Sequence, residues 1–216
     1  ERGGLNPYGF VGNNPINKWD YLGLKLNLDG LPPTCGKCKV QWVEVAGVKG
    51  AEATTRFSFS TPWYQFEECG GIKNTKGRTR YKLKLKEVTC SAIIKIDVDP
   101  NANIGKEGVT FASHELSHVR AWSDALVWMS DEIANKVSSY CCCNISEGIA
   151  LMELIKTAAN LKGRAETLKV DADDYVRHDN RQEGQDKGQI ARNLGFTLER
   201  TLIEIEAKAK KWKECK

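Results

Sequence analysis

The chain has 216 residues, enough for one hydrophobic core or a small domain with an appendage. Apolar residues make up 41% and charged residues 28%, the balance of an ordinary soluble globular protein, and no apolar run approaches the length of a membrane span. The net charge of +4 comes from interspersed acids and bases, too mild to point to a nucleic-acid partner, so none is expected; runs such as Lys208 to Lys213 read as solvated helix faces.

Residues 1–24 read ERGGLNPYGFVGNNPINKWDYLGL. Glu1-Arg2-Gly3-Gly4 is not the basic start and apolar stretch of a signal peptide, and the opening reads as a cut from a longer polypeptide. Turn formers are dense (Asn6-Pro7, Gly12-Asn13-Asn14-Pro15, Gly23) and alternate with aromatics, so the piece is expected to pack against something. The stretch NPYGFVGNNPIN followed by Asp20-Tyr21-Leu22-Gly23-Leu24 resembles the end of the core of bacterial Rhs (YD-repeat) proteins. In that family the closing signature is Asp-Pro-x-Gly-Leu; here Tyr21 stands in the proline position. The resemblance implies a boundary after residue 24, with Asp20, Gly23 and Leu24 in a self-cleavage signature cut near Leu24-Lys25. It also implies that residues 25–216 are a variable C-terminal toxin, delivered to another cell, with a cognate immunity protein and the rest of the Rhs shell as partners.

Eight cysteines follow: Cys35, Cys38, Cys69, Cys90, Cys141, Cys142, Cys143 and Cys215. Cys35-Gly36-Lys37-Cys38 has the form of half a structural zinc site, but no second such pair exists to complete it. Disulfides tying the N-terminal half to the helical half are the preferred reading, with buried free thiols as the alternative. They would suit a secreted or delivered effector working in an oxidising compartment such as the periplasm.

From residue 35 to about 100 the sequence predicts strands: KVQWVEVAGV, TTRFSFST, RYKLKLKEVT and CSAIIKIDVD are short, rich in β-branched or aromatic residues, and partly alternating. Strict alternation from Tyr81 to Lys86 predicts an antiparallel sheet with one wet face, and NTKGRT a hairpin turn. After Val109 the apolar period becomes helical, through Phe111, Leu116, Val119, Leu126 and Val127. A second helix is expected to start at an N-cap Ser130, a third to run from Ser146 to Val176 with a break at Gly163, and a long terminal helix to begin near Gly188. The fold class is α+β: an antiparallel sheet in the N-terminal half followed by a helical half.

The chemistry lies in His114-Glu115-Leu116-Ser117-His118. Residues four apart share a helix face, so both imidazoles can address one Zn2+ ion. Glu115 is rotated about 100 degrees from His114 and is placed to act as general base on water activated by that ion. Two histidines sharing a polar helix face by chance is the bland alternative; two of the three histidines in the chain falling in this motif favour the metal.

The third ligand is open. His178, within DADDYVRHDN, is the preferred candidate, since carboxylates around it can hold its second ring nitrogen. Asp174, Glu166 and Glu147 are alternatives on downstream helices, and Asp124 sits at a spacing some zincins use, though a straight helix turns it about 240 degrees from His118. The order of cysteine-bearing strand, HExxH helix, long helices, then Tyr175 and His178 resembles a family of secreted bacterial zinc proteases; the likeness implies Tyr175 as an oxyanion donor and His178 as a ligand. The expected function is a zinc metallopeptidase toxin acting on a protein or peptide. The alternative is a nucleic-acid-targeting or non-catalytic binding toxin in which HExxH is incidental.

Overall fold

A computed structural model describes residues 26–45, 53–59, 64–74, 76–104, 108–138, 140–142, 144–176 and 181–213. The Rhs-like boundary, with Asp20, Gly23 and Leu24, lies outside the described residues, as does His178.

The strands are β1 (Thr34–Cys35), β2 (Cys38–Glu44), β3 (Ala53–Phe59), β4 (Tyr64–Lys73), β5 (Thr79–Leu85), β6 (Cys90–Ile96) and β7 (Cys141–Cys142). The helices are α1 (Phe111–Trp128), α2 (Asn135–Ser138), α3 (Ile145–Val176) and α4 (Arg181–Lys213). The class is α+β, with the strand-rich half first, as its alternation predicts.

The strands form two sheets, ordered β1-β2-β6-β3 and β4-β5-β7. Pairing is antiparallel except between β2 and β6, which run parallel in register from Cys38↔Cys90 to Glu44↔Ile96. Parallel pairing needs a long crossover, and here the segment carrying β3, β4 and β5 supplies it. Strand β4 was not foreseen: Glu68, Cys69, Gly70 and Gly71 interrupt its alternation, and the register shifts between Glu68 and Lys73 around two positive-φ glycines. The NTKGRT turn is present, closed by the Asn74 side chain accepting from the backbone N–H of Lys76 and Arg78.

Three expectations for the helices change. The terminal helix α4 begins at Arg181 and not near Gly188. Ser130 is not an N-cap: α1 passes directly into a π-helical segment, Met129–Ala134, and then into α2. Nor does Gly163 break α3, which is continuous over 32 residues. A Cβ at 163 would lie 2.6 Å from the Trp122 ring, so glycine is there for helix–helix approach rather than for a turn. Trp122 is stacked on Phe57 of β3 on its other side, with centroids 5.2 Å apart. Helices α3 and α4 pack along their length as an αα-hairpin, which folds Trp212 back against Phe66 and Gly148.

Among the described residues two disulfides are present. Cys69–Cys141 ties β4 to β7, between the helices, as the expectation of a bond between halves requires; Cys38–Cys90 instead joins two strands of one sheet. Cys35 is a buried free thiol, and Cys142 is also buried. Among the described residues no helix is long and apolar enough to cross a membrane.

Replacing Gly163 with Ala adds about 1 kcal/mol of helix propensity, but the new methyl must displace a tryptophan already held by Phe57, a strain of about 1–3 kcal/mol. We expect a net fall in Tm in thermal unfolding; a rise would show that Trp122 yields freely. Removing the Cys69–Cys141 cross-link with paired serines should lower stability by roughly 2–4 kcal/mol in denaturant titration.

Candidate metal centre

Helix α1 is started by Thr110. Its hydroxyl accepts from the Ser113 N–H at 3.2 Å, and Ser113 Oγ accepts from the Thr110 N–H at 2.8 Å, a reciprocal capping box. The next free donors are also taken, Phe111 N–H by the Ala102 carbonyl and Ala112 N–H by that of Pro100. This fixes the helix start directly after the β6 loop and sets His114 and His118 one turn apart facing α3. Their ring centroids are 4.5 Å apart.

Asp171 of α3 lies between them. Its Oδ1 is 2.9 Å from His118 Nε2 and 3.5 Å from His114 Nε2. His118 Nε2 is buried and makes no aligned hydrogen bond, although the Asp171 oxygen is within reach of it. One donor atom from each of His114, His118 and Asp171 lies within 4.8 Å of the others, a set that can hold a metal ion. A buried ring nitrogen and a carboxylate oxygen that approach without a proper hydrogen bond are what a shared cation would satisfy.

The surrounding groups orient these donors. Asp174, one turn along α3, is 2.5 Å from His114 Nδ1, so His114 is left with Nε2 for a metal. Lys187 of α4 donates to Asp171 Oδ2 at 3.1 Å and also pairs with Glu183. With Oδ2 held in this way, Asp171 faces the histidines with Oδ1 alone. On the other side of α1, Glu115 is 5% exposed and accepts a short hydrogen bond from Thr55 Oγ1 of β3. Alternation on β3 turns Thr55 to the same face as Phe57.

Burial disfavours the imidazolium of His114, but its hydrogen bonds to Asp171 and Asp174, and the charge of Glu115, outweigh that and raise its pKa. Burial likewise works to raise the Asp171 carboxyl; its contacts with His114 and His118 and the charge of Lys187 overcome it and hold the group far below the usual carboxylate range. A metal ion held here would stand in place of a proton on His114 Nε2 and would pair with a carboxylate that is already ionised.

The other candidates fall elsewhere. Asp124 is exposed on α1, Glu147 is exposed in the first turn of α3, and Glu166 is paired with Lys169 at 2.8 Å. Asp174 is in the cluster, but as the partner of His114 Nδ1 rather than within the donor set. Tyr175 lies near the end of α3. Asp171 was read only as one of the acids flanking His178; the signal that marks it out is its three-residue spacing from Asp174, which puts both on one helix face. Thr55 and Lys187 were not singled out at all.

Metal titration against a chromophoric chelator should find about one transition-metal ion bound per chain. Asp171→Ala should abolish tight binding, and Asp174→Asn should weaken it roughly 10–100-fold. Glu147→Ala, Glu166→Ala and Asp124→Ala should leave affinity unchanged; a loss in any of these would move the third ligand there.

Compared with known proteins, the chain matches no family model, and no curated protein and no solved structure is significantly similar to it.

Proposed function

We propose that this chain is a zinc-dependent metallopeptidase, with His114, His118 and Asp171 as metal ligands and Glu115 as general base. The observation that carries the reading is the convergence of His114, His118 and Asp171 donor atoms within 4.8 Å, with Glu115, which lies between the two histidines in sequence, buried on the same helix as they are. Two histidines and a carboxylate form an established catalytic donor set for zinc.

Zinc bound there would supply Lewis-acid polarisation of a scissile carbonyl and ease the deprotonation of water. The chain's own residues do the rest. Glu115 takes the proton from the attacking water and passes it to the leaving nitrogen. Thr55 holds Oε2 of that carboxylate and leaves Oε1 to receive the proton. Asp174 fixes the ring of His114, and Lys187 fixes the carboxylate of Asp171.

The Rhs-like opening, NPYGFVGNNPIN with Asp20-Tyr21-Leu22-Gly23-Leu24, supports a further part of the proposal. On this reading the peptidase is a toxin carried behind an Rhs core, aimed at a protein or peptide of a competing or host cell and neutralised by an immunity protein. Two disulfides fit action in an oxidising compartment such as the periplasm.

Glu115→Ala tests the mechanism. Produced in bacteria with and without export to the periplasm, the wild-type chain should arrest growth, and the variant should lose that effect while still binding zinc. Cleavage of unstructured casein should fall by about 10²–10⁴-fold. A variant that remains toxic, or a wild type that binds no zinc, would overturn the reading.

A further inference from the structure

The Cys35-Gly36-Lys37-Cys38 motif is not used by the metal centre, and its two cysteines have different fates: Cys38 is bonded to Cys90, while Cys35 is free. Yet Cys35 and Cys38 are direct cross-strand partners, at the end of a hairpin whose two-residue connection is Gly36-Lys37, with Gly36 at φ +57. Cys38 is in turn the register partner of Cys90 in the parallel pair β2–β6. In each strand the cysteine is buried and the residue beside it (Thr34, Lys39, Ser91) is exposed, so all three sulfurs lie on one face of the sheet.

We infer that Cys35 is the attacking thiol of an internal disulfide exchange through which the buried Cys38–Cys90 bond is opened. Reach decides which sulfur it attacks. Directly opposed antiparallel residues have Cα atoms about 4.5–5.5 Å apart, inside the span of a disulfide. Cys90 is two strands away, roughly 9–10 Å, beyond that span. The Cys35 thiolate therefore attacks Cys38 Sγ. The Cys35–Cys38 bond forms as Cys38–Cys90 breaks, and Cys90 leaves as a thiolate that takes up the proton Cys35 released. No electrons are gained or lost in this step.

Access gives the exchange its consequence. Cys38 and Cys90 are each 1% exposed, whereas Cys35 is 8% exposed on the edge strand β1. Exchange moves the disulfide from the interior of the sheet to its rim. There an external dithiol can attack it, giving up two electrons and two protons and leaving as its own disulfide. The bond lost closes a 52-residue separation and pins β2 to β6, while its replacement closes only a two-residue hairpin and constrains little.

The hairpin also grips the helix of the metal centre. Cys35 Sγ donates to the Leu116 carbonyl at 3.6 Å, Lys37 N–H donates to Ser123 Oγ at 2.7 Å, and a Cβ on Gly36 would collide with Ser123. Drawing Cys35 toward Cys38 breaks the first of these contacts, within the HELSH segment itself. The exchange does not depend on the metallopeptidase reading; its coupling to α1 is a property of the packing.

The test is the rate at which dithiothreitol reduces Cys38–Cys90 in the folded, full-length chain, followed by alkylation and peptide mapping. Cys35→Ser keeps a hydroxyl to meet the Leu116 carbonyl, so the oxidised variant should melt as the wild type does while its Cys38–Cys90 bond is reduced at least tenfold more slowly. Equal rates would overturn the proposal. Cys90→Ser gives a second readout: air oxidation should yield a mapped Cys35–Cys38 bond, and finding both thiols free in the folded variant would also overturn it. If Cys90→Ser does not fold, the Cys35→Ser rate alone decides.

Discussion

The His114–His118–Asp171 cluster depends on how closely α3 can lie against α1, and that distance is set where Gly163 meets the face of Trp122. Trp122 cannot retreat, because Phe57 and Phe59 of β3 back it from the sheet side. The two helices therefore meet at a position where only a hydrogen fits. From that contact α1 runs back toward its N-terminus and α3 runs on toward its C-terminus. One turn back from Trp122 is His118, and eight residues on from Gly163 is Asp171; these two meet at 2.9 Å. A larger residue at 163 would push the helices apart along this stretch and draw Asp171 away from the two imidazoles.

The cluster is a poor stability device. Buried ion pairs roughly break even against apolar packing, and a buried donor without an aligned partner, as at His118 Nε2, is a loss. The raised pKa of His114 contributes stability that is full below its unfolded-state value and is lost as pH rises through the raised one. The depressed pKa of Asp171 contributes stability present above its unfolded-state value and lost as pH falls through the depressed one. The metal-free cluster is thus most favourable at mildly acidic pH, with the acid ionised and the imidazole charged. Toward higher pH the proton on His114 is held less firmly and a metal competes for its place more easily. Burial, paired charges and hydrogen bonds shift histidine and carboxylate groups in this way both at functional sites and in structural ion-pair networks.

The sequence made the two histidines, the glutamate and the α+β order legible, because each rests on local periodicity. Asp171 was hidden by a single misjudgement of phase. Taking Gly163 as a break detached the end of α3 from the apolar stripe of Leu151, Ile155 and Ala159, and so concealed which face of DADDYV points at α1. Carried through the glycine at helical spacing, that stripe reaches Asp171 and Asp174 while leaving Asp173 to solvent. Thr55 was concealed differently: it occupies an inward position in TTRFSF, but its partner Glu115 is 60 residues away. The parallel pairing of β2 with β6 and the consequent Cys38–Cys90 bond are also non-local, and no spacing within the chain encodes them.

The donor arithmetic bears on what kind of metal site this is. Structural zinc sites close the ion with four protein ligands, and catalytic ones use three and keep a position open. Among the described residues the set is three. Asp174 lies within reach but is engaged with His114 Nδ1, and the second oxygen of Asp171 is engaged with Lys187. Both carboxylates that might have closed the coordination shell are instead tied to groups that orient the ligands. Glu115, by contrast, is turned toward β3 and held there by Thr55. A centre built only to staple α1 to α3 would gain from a fourth ligand and has acids at hand to supply one. With the acids so turned, the described residues offer a set of three donors, the number that the proposed metallopeptidase reading needs.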